Sequence, residues 1–124
     1  MKIISLQHIA IEDPGTFKDF LLADGHELTT IQLDEGENIP SNLDEFDAML
    51  CMGGPMDTFM EDEFNWLVGE KKAIGEYVLN LKKPFLGFCL GCQLLGEVLG
   101  GKVVQSNPPE IGVLDIDVSD QAIT

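Results

Sequence analysis

The chain has 124 residues, 44% of them hydrophobic, which is enough for one modest domain with a buried core. Its formal net charge is -15, with 22 acidic residues and no arginine, so nucleic acid and anionic membranes are poor candidate partners. Three cysteines make a poor disulfide framework, and no apolar run approaches the roughly 20 residues of a membrane span, so we expect a cytoplasmic protein.

Apolar runs of strand length alternate with segments of helical period, which we interpret as a single domain over residues 1–124. The run at 2–9 is apolar nearly throughout, as expected of a strand buried on both faces of a parallel sheet. A short helix is predicted at 16–25. Further strands are predicted at 26–33, 46–52, 84–88 and 101–105, and an alternating, half-exposed antiparallel strand at 111–118.

The clearest predicted helix covers 64–81, where apolar residues recur at spacings of three and four and include Val68 and Lys71 on the same face. Pro84 ends this helix, and a second helix is predicted at 89–100. Alternating strands and helices predict right-handed crossovers and a sheet layered with helices. We therefore expect an α/β, flavodoxin-like three-layer fold with a mostly parallel sheet, incomplete at its C-terminal side.

The stretch GFCLGCQ at 87–93 places Cys89 between a predicted strand and a predicted helix, with Gly87 and Gly91 two residues away on either side. A sharp strand-to-helix turn crowds these two flanking positions, and glycine relieves the crowding, as in the Gly-x-Ser-x-Gly nucleophile elbow. The backbone N–H of Leu90 would then face an oxyanion formed by attack of the Cys89 thiol on an acyl group. The pattern predicts a nucleophile elbow.

The strand at 46–52 ends in GGPMD and should lie beside the elbow strand. Paired glycines permit a backbone turn that directs an N–H into the site, so Gly54 is a second candidate oxyanion donor. Taken alone, this stretch is better interpreted as an ordinary strand-to-loop turn. The adjacent elbow reverses that preference.

Cys89 and Cys92 also form a CxxC pair, which offers two other interpretations. A thioredoxin-type redox site starts a helix with CxxC but leaves the two glycines unexplained. A structural zinc site needs four ligands, and the sequence has no second CxxC and no paired histidines, so we expect no metal. We favour the elbow, with Cys92 as a packed residue of the helix face and Cys51 as a small core residue.

The motif GxCxGxQ followed by LLGEVLGGKV, with MGGPMD upstream and PPEIG downstream, resembles the class I glutamine amidotransferases and their stand-alone, GMP-synthase-like branch. The resemblance implies that Cys89 attacks the side-chain amide of glutamine, forms a thioester and releases ammonia, without a cofactor. It also implies that Gly54 and Leu90 supply the oxyanion-hole N–H groups. The implied substrate-binding residues are Gly53 and Gln93.

The family resembled supplies its general base from a His-x-Glu pair C-terminal to the elbow, but this sequence has no histidine after His26. We interpret His8 as a core or loop-satisfied residue, and His26 as facing the opposite edge of the sheet. We therefore expect a truncated amidotransferase that is inactive by itself. Its incomplete sheet face would be covered by a second chain, either another copy or a synthetase partner.

Two alternatives stay open at the level of sequence. One is a catalytically silent binding or assembly half-domain. The other is a cysteine-elbow hydrolase acting on other γ-glutamyl substrates, in which an acidic residue lies near the nucleophile. Glu12 is the candidate for that residue, although a solvated loop acid is the simpler interpretation. The ammonia acceptor cannot be assigned from these residues.

Overall fold

The computed structural model of the protein describes residues 1–120, and its centre is a parallel sheet of four strands. Their order across the sheet is β2-β1-β3-β4, which is the flavodoxin-like order. This confirms the predicted α/β fold with its parallel sheet. The strands are β1 (Lys2–Gln7), β2 (Glu27–Gln32), β3 (Ala48–Cys51) and β4 (Phe85–Gly87).

Three α-helices accompany the sheet: α1 (Gly15–Ala23) joins β1 to β2, α2 (Trp66–Gly75) lies between β3 and β4, and α3 (Leu90–Val98) follows β4. A π-helical turn, Glu76–Asn80, continues α2, so the predicted helix at 64–81 is present but is not regular throughout. No helix within residues 1–120 is long and apolar enough to cross a membrane.

Side chains alternate between the two faces of β1 and β3 and so divide the core in two. Ile4, Leu6 and Cys51 belong to the larger cluster, which α2 and α3 cover. Ile3 and Leu50 belong to a smaller cluster on the opposite face, against the α1 side. An apolar cleft of about 210 Å³ remains on that second face. The sheet is thus layered between helices, as the strand and helix alternation predicted.

The apolar face of α2 differs from the predicted one. Val68 is exposed, whereas Glu70 is completely buried. Lys71 is partly buried because it pairs with Glu61 at 2.6 Å and with Glu97 of α3 at 2.8 Å. The helical spacing predicts the helix correctly, but the face of α2 that packs on the sheet is rotated relative to the predicted face, so that it includes Glu70 and excludes Val68.

The predicted strands at 101–105 and 111–118 are wrong for the described part of the chain, where 101–119 holds no strand. Their apolar side chains are exposed, among them Val104, Ile111 and Val113. A strand needs a neighbouring strand to satisfy its backbone groups, and within residues 1–120 this segment pairs with none. The four strands of the sheet therefore replace the five parallel strands expected.

Candidate active site

Cys89 lies between β4 and α3, with φ of 50° and ψ of −108°. This is a conformation that residues with a side chain rarely adopt, and it costs of order 1–3 kcal/mol unless the surrounding structure enforces it. The Cys89 side chain is exposed and its thiol is free. The strand-to-helix turn thus presents an exposed, free thiol at the carboxyl edge of the sheet.

The two glycines around Cys89 are required by close backbone packing. A Cβ at Gly87 would lie 2.6 Å from the backbone nitrogen of Cys92. A Cβ at Gly91 would lie 2.7 Å from the carbonyl carbon of Cys51 and closer still to its oxygen. Real Cβ atoms do not approach backbone atoms this closely, so a side chain at either position would force the turn to move.

The first turn of α3 carries two further predicted site residues. Leu90 is the first helical residue, where backbone N–H groups have no intrahelical acceptor. Gln93 is exposed one turn after Cys89, and its backbone N–H donates to the Cys89 carbonyl oxygen at 3.1 Å. The N–H of Leu90 and the side chain of Gln93 therefore belong to the same end of the helix as the thiol.

The end of β3 is joined directly to this turn. Phe88 N–H donates to the Cys51 carbonyl at 2.9 Å, and Gly91 N–H donates to the Met52 carbonyl at 3.2 Å. Gly53 and Gly54 follow at once. A Cβ at Gly53 would lie 3.5 Å from the Cβ of Cys89, so the structure brings the two predicted halves of the site together.

The backbone N–H of Gly54 donates to no acceptor within residues 1–120. Gly54 is also tightly enclosed, since a Cβ there would lie 3.1 Å from the Cβ of His8 and 3.2 Å from Cδ2 of Leu90. The position combines an unpaired donor with close packing, so that a side chain there would displace its neighbours by a few tenths of an ångström. An N–H of this kind is a candidate donor to an oxyanion.

Glu12, in the loop after β1, borders the same site. A Cβ at Gly53 would collide with Oε2 of Glu12, so this carboxylate lies directly over the glycine. The same point is in contact with the Cβ of Cys89. Glu12 and Cys89 therefore border the same side of Gly53.

A buried polar cluster lies beneath Gly53, formed by His8, Glu70 and Cys51. His8 Nε2 is 2.7 Å from Oε1 of Glu70, and His8 Nδ1 is 2.9 Å from the Gly53 carbonyl oxygen. The Cys51 thiol donates to the same Oε1 at 3.2 Å. The sequence interpretation of His8 as a satisfied core residue and of Cys51 as a core residue agrees with this arrangement.

The surroundings of the cluster shift two pKa values. Burial alone would lower the pKa of His8, but its hydrogen bond to Glu70, the charges of Glu70 and Glu12 and the bond to the Gly53 carbonyl together raise it. Burial, followed by the charge of Glu70, raises the pKa of the Cys51 thiol well above its usual value. Cys51 is consequently a neutral thiol and not a nucleophile.

The cluster's ligand types would also suit zinc, but its spacing does not. Two ligands of a tetrahedral zinc ion lie about 3.3 Å apart, given metal–ligand distances near 2.0 Å. The 2.7 Å between His8 Nε2 and Glu70 Oε1 is that of a hydrogen bond instead. Trp66 stacks on the imidazole with ring centroids 5.3 Å apart and closes its other side.

Glu70 is the site-adjacent residue that the sequence interpretation missed. It occurs three residues after Leu67 and four before Ile74, both of them buried. The sequence feature that could have identified Glu70 is therefore a single acidic residue on the apolar face of a helix. His26 precedes β2 at the opposite edge of the sheet, and its Nδ1 lies 3.3 Å from the N-terminal amino group. Neither histidine of the chain faces Cys89 with an open ring nitrogen.

The prediction that Cys92 packs on the helix face is wrong. Cys92 is exposed and its thiol is free, like that of Cys89. The buried positions of α3 are Leu90, Gly91 and Leu94, which leave Cys92 on the solvent side.

Residues 18–122 match the family model described as "Glutamine amidotransferase class-I". The chain is 30% identical over 126 residues to the glutamine amidotransferase-like protein YfeJ of Salmonella typhimurium, an alignment that covers 99% of this chain and 52% of YfeJ. It is 34% identical over 79 residues to a glutamine-hydrolysing GMP synthase subunit from Sulfurisphaera tokodaii, covering 64% of this chain and 39% of the Sulfurisphaera protein.

The crystal structure of a glutamine amidotransferase from Thermotoga maritima superposes with a TM-score of 0.76 at 31% sequence identity. The superposition covers 81% of this chain and 43% of the Thermotoga protein. The chain thus spans about half the length, or less, of the relatives that it matches.

Proposed function

Because the chain belongs to the class I glutamine amidotransferases, we propose that it carries the nucleophile side of a site that hydrolyses the side-chain amide of glutamine. The observation that carries the proposal is the backbone of Cys89, held at φ of 50° between two glycines that cannot be replaced without a backbone clash. A strained, exposed thiol at the edge of a parallel sheet is suited to nucleophilic attack.

In the proposed reaction the Cys89 sulfur attacks the amide carbon and the carbonyl oxygen becomes an oxyanion. Collapse of this intermediate breaks the C–N bond, and the protonated nitrogen leaves as ammonia. Water then attacks the resulting thioester, which yields glutamate and restores the thiol. Each step passes through an oxyanion, so donors aimed at that oxygen lower both barriers.

Two backbone N–H groups are proposed as those donors, from Leu90 and Gly54. Leu90 N–H lies at the start of α3, and Gly54 N–H has no acceptor within the described residues. We assign glutamine binding to Gly53 and Gln93, which flank Cys89 on its two sides. Other γ-glutamyl compounds share the same reacting group.

The base and the ammonia acceptor are proposed to come from outside these residues. Of the two histidines, His8 is buried with both ring nitrogens engaged, and His26 is at the opposite sheet edge. The 124-residue chain is therefore expected to react with glutamine analogues without turning glutamine over. The Sulfurisphaera relative is named as a GMP synthase subunit. We therefore propose that the molecule that accepts the ammonia is bound by a separate synthetase chain.

The test is covalent labelling with the chloroketone analogue of glutamine, followed by mass spectrometry of the peptides. One adduct on Cys89 is expected. Cys92→Ala should be labelled as fast as the parent, because Cys92 is neither the proposed nucleophile nor a proposed oxyanion donor. Absence of an adduct on Cys89 in the folded protein would overturn the proposal. Ammonia release from glutamine should not exceed that of Cys89→Ala.

A second candidate function is favoured by the position of Glu12 beside Cys89. In a cysteine hydrolase of this kind, the Glu12 carboxylate interacts with the thiol in place of a histidine. The pH profile of Cys89 alkylation by iodoacetamide distinguishes the two functions. If Glu12 has this role, Glu12→Gln shifts the profile, whereas an unchanged profile removes the candidate.

A further inference from the structure

The buried pair of His8 and Glu70 has no part in the chemistry proposed above. Both side chains have an exposed fraction of 0%. Burying two ionisable groups costs desolvation energy that their pairing offsets only in part. One use of such a pair is to specify the conformation of the groups that it contacts. The group that this pair fixes is the carbonyl of Gly53, which belongs to the same peptide unit as the N–H of Gly54, the proposed oxyanion donor.

The hydrogen-bond partners determine which atoms of His8 carry protons. The Gly53 carbonyl oxygen can only accept, so Nδ1 must donate to it. Glu70 Oε1, which also accepts from the Cys51 thiol, draws the second proton to Nε2. His8 is therefore assigned as an imidazolium that donates from both nitrogens, with Glu70 as the counter-ion of the ring.

The hydrogen bond from His8 to the Gly53 carbonyl also fixes the orientation of the Gly54 N–H, because the two groups belong to one planar trans peptide. The C=O of residue 53 and the N–H of residue 54 belong to one rigid plane and point in opposite directions. Since the carbonyl points to His8, the Gly54 N–H of the same plane points away from His8. The opposite orientation would aim a carbonyl oxygen at the developing oxyanion.

We propose that His8, supported by Glu70, is a positioning residue that locks the Gly53–Gly54 peptide with its N–H toward Cys89, so that the oxyanion hole is formed before substrate arrives. This inference rests on the proposed function. A peptide flanked by two glycines has little conformational preference of its own. A charge-assisted hydrogen bond from a buried imidazolium supplies that preference.

Two reagents that attack the same thiol separate this role from a merely structural one. The chloroketone analogue of glutamine first forms a tetrahedral adduct whose oxyanion needs the hole. Iodoacetamide alkylates the thiol by direct displacement and needs no oxyanion donor. His8→Leu is expected to slow chloroketone labelling of Cys89 about 100-fold, the cost of losing one oxyanion donor, while iodoacetamide labelling stays within about twofold.

His8→Asn is the conservative control, because an asparagine amide N–H can stand where the Nδ1–H stands. It should recover chloroketone labelling to within about tenfold of the parent. Equal chloroketone rates in the parent and in His8→Leu would overturn this inference alone. No chloroketone labelling of the parent would overturn the proposed function, and this inference with it.

Should His8→Leu fail to fold, iodoacetamide will also label buried Cys51, and His8→Leu/Glu70→Leu takes its place. The double variant leaves no unpaired buried charge and offers the Gly53 carbonyl no donor from residue 8, so the same loss of about 100-fold in chloroketone labelling is expected. The titratable groups facing the ring are Glu70 from α2, Cys51 from β3 and Glu12 from the loop after β1.

Iodoacetamide labelling of Cys89 in the double variant should stay within about twofold of the parent. Equal chloroketone rates in the parent and in the double variant would overturn the inference.

Discussion

The elbow at 87–93 and the buried cluster of His8, Cys51 and Glu70 lie on two sides of the same Gly53–Gly54 segment. The elbow is exposed and contiguous in sequence, and its geometry requires glycine, which has no side chain, at positions 87 and 91. The cluster is buried, draws one residue each from the β1 end, β3 and α2, and depends on charge and hydrogen bonds. Close packing thus shapes one side of the site, and electrostatics orients the other.

The difference implies that the two sides can be disturbed separately. Damage to the elbow should appear as a steric cost in backbone packing, with little dependence on pH. Damage to the cluster should appear as the cost of an unpaired buried charge. The following variants are chosen to make that distinction measurable.

The largest effect on stability is expected from Glu70→Leu. The change leaves His8 buried without its carboxylate partner, which should lower the free energy of unfolding by about 3–5 kcal/mol in urea denaturation. Removing both partners in His8→Leu/Glu70→Leu leaves no unpaired charge, so the double variant should be more stable than the sum of the single effects by about 1–3 kcal/mol. Additive effects would show that the pair is not coupled.

A smaller, purely steric effect is expected from Gly91→Ala, because the new Cβ would collide with the Cys51 carbonyl. The variant should lose about 1–3 kcal/mol of unfolding free energy. Gly96→Ala on the same helix is the matched control, since nothing lies within 4 Å of a Cβ there. That change should stabilise by about 0.5–1 kcal/mol. Equal effects at the two glycines would contradict the packing argument.

The elbow could be predicted from sequence because its requirements are local. Cys89 and its two glycines lie within five positions, and the crowding of a strand-to-helix turn affects those positions directly. The flavodoxin-like sheet was predictable for a related reason. The strands stand out as short segments rich in apolar or β-branched residues between turn signals, and the crossover rule leaves few ways to arrange them.

The buried cluster could not be predicted in the same way. His8 and Glu70 are 62 positions apart, and only the packing of α2 on the sheet brings them together. Helical spacing indicates that one face of α2 is buried but does not fix its rotation within about one residue, which is why Lys71 was placed inward instead of Glu70.

The segment at 101–118 shows a second limit. Its apolar alternation is a local property, but a strand forms only where a partner strand offers hydrogen bonds. Val104 and Ile111 are exposed in the structure, and the described residues provide no such partner for them. The alternating pattern indicates that this segment could form a strand, but it does not indicate whether a neighbouring strand is available to pair with it.

The smallest expected effect is a pH dependence of stability that arises from His8. Burial lowers the pKa of His8 in the folded protein, but the hydrogen bond and charge of Glu70 outweigh burial, so the pKa is raised. Protonation therefore stabilises the fold fully below the unfolded value of 6.5, and this stabilisation is lost as the pH rises through the raised folded value.

The measurement is the difference in unfolding free energy between the parent and His8→Leu/Glu70→Leu, which lacks both groups of the pair, determined between about pH 5 and pH 8. The difference should be largest at low pH and shrink as the pH rises above 6.5. The raised pKa of Cys51 has little effect in this range, because it removes stability only near and above the ordinary thiol value of about 8.5. A difference that grows with pH would mean that the folded pair holds no extra proton, so that His8 is a neutral ring beside an ionised Glu70.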